Sequence, residues 1–292
     1  MKPGSGTWIH LLLPVLLLLS SCSYTFFRSS CDYPVAGTFH SQGILTDTLL
    51  ETSGIEKADS LLVSFNDSGG DPVLYFVTSG GTWINSIRIP GATNVDWEAI
   101  ATDSRFYYIA DVGNNYGTRD TLVIYCVQVE PVVGAGVQDV RKITFSYDEP
   151  VTYKTNGLYS HDCEAMFAYG DSLYLFAKDW VNQSTRVYVL PKAPGHYKVR
   201  ARADYQVRAL ITGADIDPLR KEVVLVGYRN FIPVVIRYGF TDDPAMIQCG
   251  GKARRYPWKA GLQTEGVCYD DQERIVVTSE KSLYRQSIYI VN

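Results

Sequence analysis

The chain has little of what usually announces a chemistry. No GxSxG elbow, HExxH pair, Walker A loop or Rossmann fingerprint occurs. That leaves no continuous motif for a serine nucleophile, a helical zinc site or a nucleotide phosphate. No CxxC pair is present, which excludes a zinc ribbon and a thioredoxin-type centre. The Asp-x-Asp-x-Asp-Gly calcium loop is missing, and "SGGTW" (Ser79 to Trp83) matches the end of an Asp-box without its Asp. Long stretches of 3.6-residue periodicity are absent. No basic run is longer than "KARRYPWK" (Lys252 to Lys259), and net charge is −4, which disfavours nucleic acid as a partner.

The only long apolar run, Leu11 to Leu19, is interrupted by Pro14 and follows Lys2. It is too short for a comfortable membrane span and reads as a secretory signal. It ends in "LSSC" (Leu19 to Cys22), which resembles a bacterial lipobox whose cysteine is lipidated and becomes the mature N-terminus. Residues 1–21 are then a lipoprotein signal peptide, 22–36 a lipid-anchored tether and 37–292 one folded domain. The membrane is a partner only through the lipid on Cys22. This places the protein in the cell envelope of a Gram-negative bacterium as an outer-membrane lipoprotein. The other cysteines (Cys31, Cys126, Cys163, Cys249 and Cys268) are widely spaced and odd in number; most read as buried small apolar residues, with one disulfide left open.

What the chain has in quantity is short runs rich in Tyr, Val and Ile between Gly-Asp-Asn turns, which makes it all-β. One hairpin pattern recurs: "SGIEKADSLLVSFND" (from Ser53), "EAIATDSRFYYIAD" (from Glu98), "EAMFAYGDSLYLFAK" (from Glu164), "TGADIDPLRKEVVLVGY" (from Thr212) and "EGVCYDDQERIVVTSE" (from Glu265). A third strand follows each, and a more polar fourth often follows that, as in "INSIRI", "VRKITFSY" and "HYKVRARADY". This periodicity predicts a single β-propeller of five blades, with six left open by the long gap between Glu98 and Glu164. The last unit stops at its third strand. "GTFHSQGIL" (Gly37 to Leu45) is expected to supply the outer strand and close the ring.

In a propeller the first strand of each blade lines the axis. Its start and the end of the second strand share one face. Ser53, Glu98, Glu164, Thr212 and Glu265 are therefore expected to form one ring, and Asp67, Asp111, Lys178, Tyr228 and Glu280 a second. Three glutamates on one narrow axis need a cation, a shared proton or a basic neighbour such as Lys178, Arg229 or Lys281. Hard oxygen donors with flexible geometry suit Ca²⁺ first and Mg²⁺ second, giving Glu98, Glu164 and Glu265 as candidate metal ligands. The alternative is that these carboxylates cap backbone N–H groups and hold water. The loops "NDSGGD", "DVGNN", "SHDCE" and "KDW" crowd the same mouth, and Asn66, Asn114 and Asn115 from them, with Asp96, Arg119 and Arg229 from neighbouring segments, join the ligand-binding candidates. His161 stands beside a ring glutamate in "HDCE", and is the candidate general acid or base with Glu98 and Glu164.

"NDSGGDPVLYFV", "NVDWEAIA", "YIADVGNNYGTRDTLVIYCV" with Glu130-Pro131, and "HDCEAMF" resemble a family of exported bacterial β-propeller lipoproteins, some labelled esterase-like or phytase-like. The family step usually has Asp where this chain has Ala99. A looser similarity is to calcium-activated nucleotidase propellers, with Glu98, Glu164 and Glu265 matching acidic steps and Ser53 and Thr212 departing from them. These resemblances imply an extracytoplasmic propeller that binds a small-molecule, glycan or protein ligand, with Ca²⁺ as its cofactor. The competing expectation is a metal-assisted hydrolase of phosphate esters.

Overall fold

The computed structural model describes residues 33–103, 105–129, 136–149, 161–247 and 252–291. Cys22, Cys31 and Cys249 lie outside them, as does the lipidation expected at Cys22. Cys126, Cys163 and Cys268 are buried free thiols.

In chain order, β1 (His40–Ile44) comes first. The first blade is β2 (Thr52–Ala58), β3 (Leu61–Asn66), β4 (Val73–Val77) and β5 (Trp83–Arg88). The second is β6 (Trp97–Thr102), β7 (Tyr107–Asp111), β8 (Leu122–Val129) and β9 (Val137–Tyr147). Then come β10 (Asp162–Tyr169), β11 (Ser172–Asp179), β12 (Ser184–Pro191), β13 (Gly195–Val199) and β14 (Ala203–Tyr205). The fourth blade is β15 (Leu210–Asp217), β16 (Glu222–Arg229), β17 (Ile232–Gly239) and β18 (Lys252–Arg255). The fifth has β19 (Thr264–Tyr269), β20 (Ile275–Ser279) and β21 (Ser287–Val291), and β1 pairs with β21 to complete it. The result is a five-bladed β-propeller closed by its N-terminal strand. Among the described residues no helix is long and apolar enough to cross a membrane.

Five apolar clusters fill the seams between blades, one per seam. β-Branched and aromatic residues alternate along each strand, so each blade feeds both of its seams. Tyr33, inside the segment expected as tether, is buried in the seam between the third and fourth blades, and Val35 bridges Arg255. The folded body therefore begins before residue 37.

"HYKVRARADY" does not form one outer strand. Its first half, β13, pairs in parallel with β9 of the second blade, and its second half, β14, pairs with β12. Two exposed ion pairs flank the crossing: Arg200 reaches Asp148 at 2.8 Å, and Arg202 reaches Asp243 of the fourth blade at 2.5 Å.

The five inner strands lie side by side around the axis. Each breaks register at its ring position, between Thr52 and Ile55, Trp97 and Ala99, Cys163 and Ala165, Ile211 and Gly213, and Thr264 and Val267. A β-bulge re-aims one side chain and bends the strand. Here it recurs wherever a polar residue precedes Gly or Ala. The small residue has a steric reason. A Cβ on Gly213 would lie 2.6 Å from the Glu265 carbonyl oxygen, and one on Gly266 would lie 2.7 Å from the Ile55 nitrogen, both backbone atoms of the next inner strand. Gly213→Ala is expected to destabilise by about 1–3 kcal/mol through overpacking. Gly37→Ala, where a Cβ meets nothing within 4 Å, should leave the urea midpoint unchanged.

Candidate functional site

The bulges bring Ser53, Glu98, Glu164, Thr212 and Glu265 together around one axial cavity, floored by Ile55, Ile100, Met166, Ala214 and Val267. Ring residues reach across seams. Ser53 Oγ lies 3.2 Å from both Glu98 Oε2 and the Glu98 carbonyl, and Thr212 Oγ1 donates to Thr264 O at 2.6 Å.

Strand register refines the second ring. Opposite the inner-strand starts stand Asn66, Asp111, Lys178, Tyr228 and Ser279, so Asp67 and Glu280 sit one residue beyond their strands. Both still face the ring electrostatically: Asp67 acts on Glu98 and Glu265, and Glu280 on Glu265. Lys178 is the basic group at the centre. It is buried, 2.5 Å from Glu164 Oε1 and 3.8 Å from Asp162 Oδ2, and its Nζ lies 4.6 Å from the Trp180 ring centroid. Burial opposes its charge, but Glu164 and Asp162 outweigh that and hold its pKa well above the ordinary lysine value. Glu164 is thus paired with a lysine. Asp162, which sequence reasoning missed, is fixed by the Trp180 indole at 3.1 Å and the Asn114 N–H at 3.1 Å.

The unpaired acidity lies between the first and second blades. Carboxylate oxygens of Asp67, Asp96 and Glu98 lie within 4.8 Å of one another. Asn94 builds this corner. Its Nδ2 donates to the carbonyls of Asn66 (2.9 Å) and Asp67 (2.8 Å), and its Oδ1 accepts from the Trp97 N–H at 3.2 Å. Gly113 closes it: a Cβ there would run into the Asp96 carboxylate and sit 2.5 Å from Glu98 Oε1. Burial, then the Asp96 charge, pushes Asp67 up to about 7, and the two carboxyls share a hydrogen bond that needs a proton. Burial, then the charge of Glu164, raises Glu98 well above the usual range. Burial pushes Glu265 up to about 8 despite Lys178. Asp67 Oδ1 is enclosed without a hydrogen-bond partner among the described residues.

These shifts fix a pH dependence. Asp67 and Glu265 keep protons in the folded state that the unfolded chain releases near its ordinary carboxylate pKa. Stability therefore falls as pH rises from about 4 to about 8, by up to about 1.4 kcal/mol per pH unit for each group. In chelator, the denaturation midpoint should be lower at pH 8 than at pH 5.5. Asp103 and Glu149, whose pKa values are lowered, act only at the acidic end of this range.

Other candidates are placed elsewhere or are committed. Arg119 Nη2 bonds Asp111 Oδ1 at 2.7 Å while its Nη1 bonds Gly113 O at 2.8 Å, and Asp111 Oδ1 accepts the Asp96 N–H at 3.1 Å. Asp111, Asn114 and Arg119 thus lock the "DVGNNYGTR" loop that carries Gly113. Asn66 anchors the backbone of Thr48 and Glu51, and Asn115 is exposed. Arg229 lines a different cavity, with Tyr33 and Arg255. His161 is fully buried, with Nε2 2.6 Å from Arg186 Nη1 and 3.5 Å from Glu149, against the rings of Tyr147 and Tyr188. It is tied to the flank of the third blade and does not line the axial cavity.

Apolar residues surround the mouth: Val95, Tyr116, Phe231 and Leu283 are all exposed on its loops. Phe231 is stacked on Tyr228, and both it and Asn230 have φ near +50 to +58°. A bulky residue in the left-handed region is an outlier that marks strain. The only sequence signal was a two-residue turn without glycine.

No protein-family model matches the chain, and no curated protein does. A solved glucose dehydrogenase is similar at a TM-score of 0.50 and 10% identity, covering 86% of this chain and 98% of that one. A soluble aldose sugar dehydrogenase from Escherichia coli in its apo form gives 0.49 and 9%, over 85% and 98%. Regucalcin from Agrobacterium tumefaciens str. C58, a calcium-binding protein, gives 0.43 and 12%, over 90% and 95%. The likeness is one of fold. It carries no residue role to this chain.

Proposed function

We propose that this chain is a lipid-anchored envelope propeller that holds Ca²⁺ at its mouth and uses the ion to bind an extracytoplasmic ligand. The observation that carries the reading is the corner of Asp67, Asp96 and Glu98, convergent within 4.8 Å. Asp67 Oδ1 is left there without a partner. An enclosed carboxylate oxygen with no donor is the group a cation satisfies. The donors are all hard oxygens, from a strand end, a loop and a bulge, which favours Ca²⁺ over the stricter Mg²⁺. Compared with the ring glutamates, the ligand set moves by one seam: Glu98 stays, Asp67 and Asp96 join it, and Glu164 is neutralised by Lys178.

Three protein ligands leave coordination positions for oxygen atoms of a small molecule, a glycan or a protein, with the exposed Val95 and Tyr116 on loops of the second blade offering apolar contact. The hydrolase reading has less support, because His161 is engaged with Arg186 and Glu149. Anchoring through Cys22 and outer-membrane placement belong to the same proposal and rest on "LSSC". The test is a thermal melt of the chelated protein with added Ca²⁺ or Mg²⁺. Ca²⁺ should raise the midpoint, more at pH 8 than at pH 5.5 because the site must lose its shared proton. Equal, pH-independent shifts from both ions would overturn it.

A further inference from the structure

A second cavity, of about 540 Å³, opens on the outer part of the fourth blade, with Ile232 and Val234 as its apolar floor. Tyr33, Arg229, Asn230 and Arg255 supply its polar wall. Most arginines of the propeller are paired with a carboxylate, as in Arg119–Asp111, Arg186–Asp204 and Arg237–Glu222. Arg229 and Arg255 differ: among the described residues neither guanidinium has a hydrogen bond or ion pair, and no carboxylate lines the cavity. Arg208, held at φ +56° in the adjoining loop, joins Arg229 in acting on the Tyr33 hydroxyl, which itself donates to Val207 O at 2.5 Å. Unpaired positive charge thus collects around a concave surface on a chain whose net charge is −4.

We propose that this cavity is a binding site for a phosphate group, gripped by Arg229 and Arg255, with Tyr33 and the apolar floor receiving its organic substituent. Two planar guanidiniums match the several oxygens of a phosphate with charge-assisted bonds, and the volume admits more than a bare ion. The same chemistry occurs in soluble phosphomonoesters and in anionic phospholipid headgroups. Ten residues lie between Cys22 and Tyr33, so a lipid on Cys22 would keep the cavity within a short tether of the headgroups.

The test uses the full chain in chelator. Inorganic phosphate and glycerol 3-phosphate are titrated at constant ionic strength, and vesicles of phosphatidylglycerol are compared with phosphatidylcholine by sedimentation. Arg229→Gln and Arg255→Gln should each weaken binding about tenfold or more, the effect of losing one charge-assisted bond, with the melting point in chloride unchanged. Arg220→Gln, on the opposite face, should have no effect. Loss of soluble phosphate binding in the variants supports the site with a free phosphomonoester as ligand. Binding confined to phosphatidylglycerol vesicles, and lost in the variants, supports it with the headgroup as ligand. Binding that survives both substitutions, or no binding to any probe, overturns it.

Discussion

Replacing Lys178 with methionine is expected to cost the fold about 3–5 kcal/mol at pH 8, the penalty for leaving a buried charge without its partner. In a chain of this size that lowers the melting temperature by roughly 10 °C. Lys178 is 5% exposed and sits between Glu164 and Asp162. Without it, Glu164, whose pKa burial already raises, must take up a proton beside Asp162 and Glu265, and that uptake costs more the higher the pH. The cost should shrink at pH 5.5, because Glu164 already has its pKa raised by burial and can take up a proton instead. The double variant Lys178→Met with Glu164→Gln should recover much of the loss. A small, pH-independent effect would mean that water, not the lysine, balances the ring.

Asp67→Asn and Glu98→Gln are expected to remove the Ca²⁺ effect on the melting temperature. Each substitution takes one of three carboxylates from the corner, and ligand charge is what sets Ca²⁺ affinity. A loss of about 100-fold or more is the expected scale, as three charges fall to two. The chelated variants should be as stable as the parent or more so at pH 8, since each removes a carboxylate that burial disfavours. This sign separates ligand loss from misfolding. Calcium titration followed by calorimetry reads affinity, and a urea midpoint reads stability. Gln or Asn at Glu164, by contrast, strands Lys178 and should damage stability more than calcium affinity.

Much of the architecture is legible in the sequence because a propeller repeats its own rule. A polar residue, a small residue and an apolar strand recur at Ser53, Glu98, Glu164, Thr212 and Glu265, and the bulge and close backbone approach explain why. Closure by β1 is legible for the same reason, since a blade short of one strand needs it. The division of "HYKVRARADY" between two blades is not. It depends on which edge strands, β9 and β12, its two halves find, and the pairing with β9 joins segments distant in the chain. The second ring slips by one at Asn66 and Ser279 because a bulge shifts pairing without leaving a mark in composition. Charge balance is harder still. Sequence places Glu164 and Lys178 at the same mouth, but only distance makes them partners and leaves Asp67, Asp96 and Glu98 as the acidic group without a cation. His161 looks chemical beside "DCE". Its ring turns away from the axis because Arg186 and Glu149 offer it partners on the blade's flank.

The most direct measurement is a crystal of the full chain grown with Ca²⁺, with anomalous differences recorded at a wavelength sensitive to calcium. The account predicts one strong peak at the first seam, within about 2.3–2.6 Å of carboxylate oxygens from Asp67, Asp96 and Glu98. Lys178 should stay on Glu164. A peak on the axis among Glu98, Glu164 and Glu265 with Lys178 displaced, or no peak at saturating calcium, would contradict it.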